Sequence, residues 1–320
     1  MKALVTGATG FIGSHLCEEL IRRGYEVTCL SRNTSNLKWI ENLDIRLAKG
    51  DCTLPESLLD MVGGFEYVFH LAGLTKARCG DEFFCMNARG TENLIKVIAE
   101  RNPNVKRFVY LSSLAAVGPS KDGTPIREDS PPSPVSNYGR SKLEGEKAVL
   151  RYRDSMPVTI IRPPAVYGPR DKDFLVFFKM IKKGVFPNWG KCYYSLLYVD
   201  DLIHGIIASA ENKRAEGKIY FLSDSKVHTD EEITAEISSV LDVKVTRLKV
   251  PKFVMPLFAF LGEKISERGI INRDKMRELR YSHWICDAKK ATEEIGFMPK
   301  VGLKEGIKWT ADWYRIHRWL

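Results

Sequence analysis

Short apolar segments alternate with longer amphipathic segments through the first half of this 320-residue chain. Some are continuous, such as Val68-Phe69-His70-Leu71-Ala72, which is typical of strands covered on both faces. The pattern predicts strands at Lys2–Thr6, Glu26–Leu30, Ile45–Lys49, Tyr67–Leu71, Lys106–Ser112 and Val158–Arg162. Helices are predicted between them at Ser14–Arg23, Leu54–Met61, Glu82–Arg101 and Tyr138–Arg153. This alternation predicts an α/β fold with a parallel sheet and helices on both faces.

Three glycines follow the first predicted strand directly, in Thr6-Gly7-Ala8-Thr9-Gly10-Phe11-Ile12-Gly13. Gly7 allows a sharp turn, Gly10 lets the backbone approach phosphates, and Gly13 lets the helix pack closely on the strand. The helix that follows offers free N–H groups and a partial positive charge to an anion. Strand, loop and helix together predict the pyrophosphate site of a dinucleotide in a Rossmann-type, doubly wound sheet.

The alternation loosens after about residue 165. Further helices are predicted at Phe174–Lys183, Asp230–Leu241, Phe253–Arg268 and Ala288–Ile295, and a strand at Val243–Leu248. We expect residues 1–165 to form the NAD(P)-binding domain and residues 166–320 to form mainly a smaller α/β cap that binds substrate. Segments near residues 195–225, including Ile219–Leu222, are expected to return to the core sheet. Ligands bind at the carboxyl edge of such sheets, beneath a cap of this kind.

Cysteine content and hydropathy limit the class of protein. The seven cysteines are scattered, odd in number and without a C-x-x-C pair, which argues against disulfides or a zinc site and for a reducing, cytoplasmic compartment. We therefore predict no metal. No signal peptide fits the start of the chain, and the longest apolar run, Phe253–Leu261, is too short to span a membrane.

The net charge of +9 is concentrated at the C-terminal end, where Val245–Leu320 has 16 Lys and Arg against 9 Asp and Glu. We interpret this as a solvated basic surface. The alternative is attraction to an anionic substrate or to a membrane surface, which would make the protein peripheral to the membrane. No nucleic-acid motif accompanies the charge, so nucleic acid is not expected as a partner.

A serine, a tyrosine and a lysine form a second candidate constellation. The strand ending in Ser112-Ser113 is followed by Tyr138-Gly139-Arg140-Ser141-Lys142 at a helix start, so Tyr138 and Lys142 lie one turn apart on one face. A tyrosine has a pKa of about 10, too high for a base at neutral pH. We expect the nearby ammonium to lower that pKa, and the serine hydroxyl to hold the substrate oxygen. The set predicts proton transfer coupled to hydride transfer at an alcohol carbon.

The chain resembles the extended short-chain dehydrogenases/reductases of the nicotinamide-dependent epimerase/dehydratase superfamily. The resemblance covers roughly residues 2–205, with weaker matches to Trp313. Besides the glycine loop, the matching motifs are Gly50-Asp51, His70-Leu71-Ala72-Gly73, Asn87-Ala88-Arg89-Gly90-Thr91-Glu92-Asn93-Leu94, Tyr110-Leu111-Ser112-Ser113, Tyr138-Gly139-Arg140-Ser141-Lys142, Arg162-Pro163-Pro164-Ala165-Val166-Tyr167-Gly168-Pro169 and Tyr198-Val199-Asp200-Asp201.

The resemblance implies a role for each matching position. Ser113, Tyr138 and Lys142 would be catalytic, and Asp51 would contact the adenine. The implied cofactor-binding residues are Gly7, Thr9, Gly10, Phe11, Ile12, Gly13, Ser31, Arg32, Asp51, Cys52, Leu71, Ala72, Gly73, Asn87, Tyr138, Lys142, Pro163 and Val166. Asn87 could instead bridge backbone groups, and Asp200 and Asp201 are more typical of helix caps than of substrate contacts.

The end of the second strand bears on the choice of cofactor. An acidic residue there would bond both ribose hydroxyls of NAD and repel a 2′-phosphate. Here Leu30 leads into Ser31-Arg32-Asn33 without a carboxylate, and an arginine can pair with a phosphate through two hydrogen bonds. We therefore favour NADP(H), with NAD(H) as the alternative if Arg32 points into solvent or stacks on the adenine.

The residues after Ser113 bear on the reaction. Dehydratases of the superfamily need an acidic pair there, and this chain has Leu114-Ala115-Ala116, so dehydration is not expected. The stretch Ser112–Pro119 resembles the 3β-hydroxysteroid dehydrogenase and dihydroflavonol reductase branch, in which the second serine is catalytic. We expect a reductase or dehydrogenase that interconverts a ketone and a secondary alcohol. A nucleotide-sugar epimerase is the alternative, and a non-catalytic nucleotide-sensing protein is a second alternative.

The expected substrate is a small apolar or lipid-like molecule. The segment Val250–Gly262, with Phe253, Phe258 and Phe260, resembles the hydrophobic cap region of that branch, although such phenylalanines are also typical of an ordinary core. Lys76, Arg78 and Arg170 could meet an acidic substrate or lie in solvent. The superfamily resemblance also implies a homodimer, formed through the two long helices at Glu82–Arg101 and Tyr138–Arg153.

Overall fold

A seven-stranded parallel sheet forms the centre of the molecule. The computed structural model describes residues 1–251 and 273–320. The sheet consists of β1 (Lys2–Thr6), β2 (Glu26–Ser31), β3 (Ile45–Lys49), β4 (Tyr67–His70), β5 (Arg107–Leu111), β6 (Val158–Arg162) and β11 (Lys218–Phe221). Its order is β11-β6-β5-β4-β1-β2-β3, so the chain runs outward from β1 in both directions. The predicted Rossmann-type, doubly wound fold is confirmed.

Helices cover both faces of this sheet, and the side chains of β1 pack alternately against the two helical layers. The helices are α1 (Phe11–Arg22), α2 (Gly80–Phe83), α3 (Gly90–Arg101), α4 (Asn137–Leu150) and α6 (Val199–Glu211). Ala3 and Val5 pack in one apolar cluster with α1 and α6. Leu4, between them, packs in a second cluster with α3 and α4. Alternate residues of this strand, which is buried from Ala3 to Thr6, thus pack into two separate cores.

Two segments of the first half differ from the predicted elements. The helix expected at Leu54–Met61 is only a 3₁₀ turn, Pro55–Leu58, because Leu54 and Leu59 are exposed and Leu58 alone is buried in that turn. The long helix expected at Glu82–Arg101 is not uniform, since a π-helical segment, Phe84–Arg89, joins α2 to α3. Its apolar spacing still resembles that of an α-helix, which is why the sequence pattern does not reveal the wider turn.

Smaller elements complete the C-terminal half. The helices are α5 (Lys172–Lys182), α7 (Asp230–Leu241), α8 (Arg273–Leu279), α9 (Lys289–Ile295) and α10 (Leu303–Ile316). The strands are β7 (Ala165–Tyr167), β8 (Val185–Asn188), β9 (Tyr193–Tyr194), β10 (Leu196–Tyr198), β12 (His228–Thr229), β13 (Thr246–Lys249) and β14 (His283–Trp284). They form small sheets of two or three strands, whereas β11 pairs with β6 in the main sheet.

In this half, one predicted strand is observed and one predicted helix lies outside the described residues. The strand expected at Val243–Leu248 is β13, which begins three residues later and pairs with β8. The helix expected at Phe253–Arg268 and the aromatic residues Phe253, Phe258 and Phe260 lie outside the described residues. Within residues 1–251 and 273–320, none of the helices has the length and apolar character needed to cross a membrane.

Candidate active site

The glycine loop joins β1 to α1 with almost no free space around its backbone. Gly7 has a φ of 73°, and a Cβ there would lie 2.7 Å from the backbone nitrogen of Ala72. A Cβ on Gly13 would lie 2.1 Å from the Gly7 carbonyl oxygen. Gly10 is the exposed N-cap residue of α1 and has no side chain with which to cap it. Thr9, Phe11 and Ile12 are half-buried in the same loop and first helical turn. The uncapped N–H groups and the bare backbone fit a pyrophosphate.

A buried histidine connects this loop to the neighbouring strand. Thr6 Oγ1 accepts the Ala72 N–H at 3.1 Å and lies 2.7 Å from His70 Nδ1. His70 Nε2 lies 2.9 Å from Thr91 Oγ1, which donates its proton to the Asn87 carbonyl. Thr91 must therefore accept from His70 Nε2–H, and Nδ1 must accept from Thr6. Burial lowers the pKa of His70 to about 3, so this connector is neutral.

Asn87, in the π-helical segment, holds the backbone that follows β4. Its Oδ1 accepts the Leu74 N–H at 2.7 Å, and its Nδ2 donates to the Leu74 carbonyl at 3.0 Å and to Ser141 Oγ at 2.9 Å. A Cβ on Gly73 would lie 3.0 Å from Asn87 Oδ1 and 3.6 Å from Lys142 Nζ. Asn87 thus bridges backbone groups, and it brings Gly73 against the lysine of the candidate catalytic set.

The two serines after β5 have different surroundings. Ser112 is buried, and its hydroxyl donates to Glu146 Oε1 at 2.5 Å. Glu146 in turn forms a buried, two-bond ion pair with Arg162. Ser113 is half-buried and accepts the Ala115 N–H at 3.1 Å, and its side chain is close enough to Tyr138 to lower the pKa of that hydroxyl. The structure therefore places Ser113, and not Ser112, beside the tyrosine.

Burial dominates the protonation of Tyr138 and Lys142. It raises the pKa of Tyr138 to about 12, against the opposing hydrogen bond from Ser113. It lowers the pKa of Lys142 to about 7, against the opposing charge of Glu146. Lys142 Nζ donates to the Leu111 carbonyl at 2.5 Å and lies 4.5 Å from the centre of the Tyr110 ring. The pKa of Tyr138 is thus raised and not lowered as expected, because burial is the largest effect, and the ammonium that opposes it is that of Lys275.

The residues expected around the adenosine half of the cofactor lie after β2 and β3. Ser31 is buried and its carbonyl accepts the Gly50 N–H at 3.1 Å. Arg32 is exposed, and its guanidinium forms no ion pair with the described residues. Asp51 Oδ1 accepts the N–H and the hydroxyl of Thr53, both at 2.8 Å. Burial raises the pKa of Cys52 to about 12, so this thiol is a packing group.

The remaining cofactor candidates line the same sheet edge. Leu71 and Ala72 are half-buried and follow β4, and the Leu71 N–H donates to the Thr6 carbonyl at 3.2 Å. Pro163 is buried, and its carbonyl accepts the Leu114 N–H at 2.8 Å, which ties it to the turn after Ser113. Val166 is half-buried in β7, where it pairs with Leu197.

The charged side chains that the sequence leaves as candidates for substrate contact have partners within the protein. Lys76 pairs with Asp173, and Arg78 lies 4.0 Å from Glu82. Arg170 donates to Ser14 Oγ at 3.0 Å and to Glu18 at 2.6 Å. Asp201 accepts the N–H groups of Lys300 and Val301 at 2.9 to 3.0 Å, and Asp200 lies 3.9 Å from His15. Apart from Arg78, these side chains therefore join different parts of the protein to one another.

Several residues of the site have no role assigned to them by the sequence motifs. Thr6, His70 and Thr91 behind the glycine loop and Arg162 beneath Ser112 lie within the matching motifs, but the motifs do not show what these side chains contact. Glu146 on α4 and Asp274 and Glu278 on α8 lie outside the motifs. Of these three, Glu146 has a local signal, since it lies four residues after Lys142 on the same helical face.

Comparisons with known proteins identify the family of the chain. Residues 3–222 match the NAD dependent epimerase/dehydratase family. The ceramide reductase of Caulobacter vibrioides is 29% identical over 99% of this chain and 95% of its own. The UDP-glucose 4-epimerase of Vibrio cholerae is 29% identical over 97% of this chain and 94% of its own. The crystal structure of a UDP-glucose 4-epimerase from Thermotoga maritima, 24% identical, shares the fold with a TM-score of 0.83 over 99% of this chain and 100% of that one.

The family match covers more than half of the chain, so the protein belongs to the NAD dependent epimerase/dehydratase family. The predicted superfamily is thereby confirmed. The finer resemblance to the 3β-hydroxysteroid dehydrogenase and dihydroflavonol reductase branch stays a prediction.

Proposed function

We propose that this family member is an NAD(P)-dependent reductase that interconverts a ketone and a secondary alcohol. One arrangement carries the proposal: Ser113 interacts with Tyr138, Lys142 lies one turn later on the same helix, and the turn after Ser113 contains only Leu114, Ala115 and Ala116. That turn has no carboxyl group to act as acid or base in an elimination. The site therefore supports hydride and proton transfer at one carbonyl group.

The glycine loop, Ala72, Gly73 and Lys142 would hold the nicotinamide cofactor, which supplies or accepts the hydride when bound. The Ser113 and Tyr138 hydroxyls bind the carbonyl oxygen of the substrate. With its pKa raised to about 12, Tyr138 is protonated at neutral pH and can act as the acid. It gives up its proton as negative charge develops on that oxygen, because an alkoxide is a stronger base than a phenolate. Lys142, when charged, stabilises the phenolate that remains.

We propose NADP(H) as the preferred cofactor, although the family as a whole is described as NAD dependent. Arg32 is exposed at the carboxyl end of β2 and forms no ion pair among residues 1–251 and 273–320. A guanidinium in this position is suited to a 2′-phosphate, and the neighbouring Ser31 adds no negative charge. NAD(H) remains the alternative cofactor.

We propose an apolar or lipid-like ketone as the substrate. The similarity to a ceramide reductase over nearly the whole chain supports this class of substrate. A cytoplasmic homodimer formed through the surface of α3 and α4, with peripheral contact at a membrane, is part of the same proposal.

A nucleotide-sugar epimerase is the second candidate, because the Vibrio cholerae relative is equally similar over the same length. The two functions differ in net redox change. The reductase consumes one NADPH for each ketone, whereas an epimerase returns its cofactor to the starting state. A non-catalytic nucleotide sensor would bind the cofactor and would convert neither a ketone nor a nucleotide sugar.

The test incubates the purified protein with NADPH and a panel of apolar ketones, and separately with UDP-glucose. NADPH absorbance and product formation are followed in each case. Stoichiometric loss of NADPH with at least one ketone is the expected result. Interconversion of the nucleotide sugar without net loss of NADPH would overturn the proposal in favour of the epimerase.

A further inference from the structure

Helix α8 provides two carboxylates to the start of α4, the helix that carries Tyr138 and Lys142. Asp274 Oδ1 accepts the Asn137 N–H at 2.7 Å, and Asp274 Oδ2 accepts the Tyr138 N–H at 3.0 Å. One turn later on α8, Glu278 Oε1 accepts the Ser136 hydroxyl at 2.7 Å. A distant part of the chain thus contacts the backbone of the tyrosine itself.

These contacts complete the hydrogen bonding of the first turn of α4. The first N–H groups of a helix have no partner within the helix, and an N-cap side chain usually satisfies one of them. Ser136 is the N-cap residue, and its Oγ accepts the Gly139 N–H at 3.0 Å. Asp274 accepts the other two, from Asn137 and Tyr138. All three donors therefore depend on α8, two directly and one through the serine that Glu278 holds.

The contacts are sheltered from solvent and complementary in charge. Ser136 is fully buried, Glu278 is 8% exposed, and the Asp274 side chain is 15% exposed. Glu278 Oε2 also accepts a hydrogen bond from Lys275 Nζ at 2.8 Å. Hydrogen bonds to a carboxylate are stronger than neutral ones, and negative charge is favourable at a helix N-terminus. The α8 charges also reach the hydroxyl, since Glu278 raises and Lys275 lowers the pKa of Tyr138.

We propose that Asp274 and Glu278 are positioning residues, and that the docking of α8 onto the start of α4 fixes the orientation of Tyr138. The inference rests on the proposed function, in which Tyr138 transfers the proton. Neither residue touches the reacting atoms. Each acts on the tyrosine through the backbone of its helical turn, so loss of the contacts should affect chemistry more than cofactor binding.

The test compares Asp274→Ala, Asp274→Asn and Glu278→Gln with the wild-type protein. Asp312→Ala is the matched control, because Asp274 and Asp312 each lie near an arginine three residues later, at 3.5 and 3.1 Å, and Asp312 is on α10. Hydrogen exchange of the peptide spanning residues 133–142 is measured first. The Asn137 and Tyr138 amides should exchange faster in Asp274→Ala than in Asp312→Ala or the wild type.

Turnover is measured next, with NADPH and a ketone that the wild type reduces. A small displacement of a catalytic group can cost about 100-fold in rate, so we expect kcat of Asp274→Ala to fall by about 10- to 100-fold. The Kd for NADPH should stay within about twofold of the wild-type value, because the glycine loop, Ala72 and Gly73 lie outside α4 and Lys142 lies one turn beyond the contacts that are removed. Asp274→Asn keeps one oxygen acceptor, so its kcat should lie between those of Asp274→Ala and the wild type. This variant also provides the readout if Asp274→Ala does not fold.

The two proposals can fail separately. A wild-type protein that reduces no ketone contradicts the proposed function, while the exchange experiment still tests the contacts of α8. Unchanged amide exchange in Asp274→Ala overturns the inference, as does a kcat equal to that of the wild type. An equal weakening of NADPH binding and kcat would also overturn it, because that would show general loosening of the fold.

Discussion

The buried ion pair beneath the active site provides the sharpest prediction about stability. Glu146 and Arg162 are 1% and 3% exposed, and two hydrogen bonds of 2.9 and 2.7 Å join them. Arg162 Nη1 is buried with no hydrogen-bond partner in the described part of the chain. Glu146→Gln removes the compensating charge while keeping the shape, so the guanidinium is left buried and unpaired. Breaking one partner of such a pair costs about 3–5 kcal/mol.

The size of the effect on melting follows from the length of the chain. Unfolding entropy is about 2.1 cal/mol/K per residue, or roughly 0.7 kcal/mol/K for a chain of this size, so we expect Tm to fall by about 5–7 °C. Glu144→Gln is the matched control, because Glu144 is exposed on the same helix and pairs with Lys147 at 2.7 Å. An exposed pair contributes about 0–1 kcal/mol, so the control should lose about 1.5 °C or less.

Thermal unfolding followed by circular dichroism measures both variants. If Glu146→Gln melts within about 1 °C of Glu144→Gln, the reasoning about buried charge is refuted. A double variant, Glu146→Leu with Arg162→Met, isolates the cause. Since it removes both charges, it should be more stable than Glu146→Gln. Glu146 also raises the pKa of Lys142, so Glu146→Gln should move the pH dependence of activity to lower pH.

Three further predictions concern cofactor, catalysis and pH. Arg32→Asp should lower the ratio of kcat/KM with NADPH to kcat/KM with NADH by about tenfold or more, because a carboxylate there repels a 2′-phosphate and bonds ribose hydroxyls. An unchanged ratio would contradict the proposed cofactor. Ser113→Ala should lower kcat by about 100-fold. Ser112→Ala should mainly lower Tm, since the Ser112 hydroxyl donates a hydrogen bond to Glu146. Equal losses of kcat in the two variants would argue against Ser113 as the catalytic serine. For ketone reduction, kcat/KM should fall as pH rises through about 7, because Lys142 loses its charge while Tyr138, with a pKa of about 12, stays protonated. A profile that does not change between about pH 6 and 9 would be inconsistent with that requirement.

Local patterns were sufficient for much of the fold and for the centre of the site. The glycine loop and the Tyr138–Lys142 pair are defined by spacing along one strand, loop or helix, and a pattern of a few residues predicts their geometry. The same was true of the central strands β4 and β5, which are buried along their whole length, whereas the edge strand β3 is buried only at Ala48. The 3₁₀ turn at Pro55–Leu58 could not be predicted in this way, since the tertiary structure decides that Leu54 and Leu59 are exposed.

Long-range contacts explain what the sequence pattern could not predict. The contacts of α8 join residues about 136 positions apart, and no spacing rule relates Asp274 to Tyr138. His70 looks like one more member of a strand until Thr6 and Thr91 are seen on either side of it. The direction of the Tyr138 pKa shift depends on how much water the folded chain excludes, and burial exceeds the lowering effects of Ser113 and Lys275.

The most direct test of the central proposal is single-turnover reduction of a ketone by Tyr138→Phe in the presence of NADPH. We expect the hydride-transfer rate to fall by at least about 100-fold, because the variant has no proton to donate. The Kd for NADPH, followed by its fluorescence, should stay close to the wild-type value. A Tyr138→Phe protein that reduces the ketone at the wild-type rate would contradict the role of this tyrosine and the proposed mechanism with it.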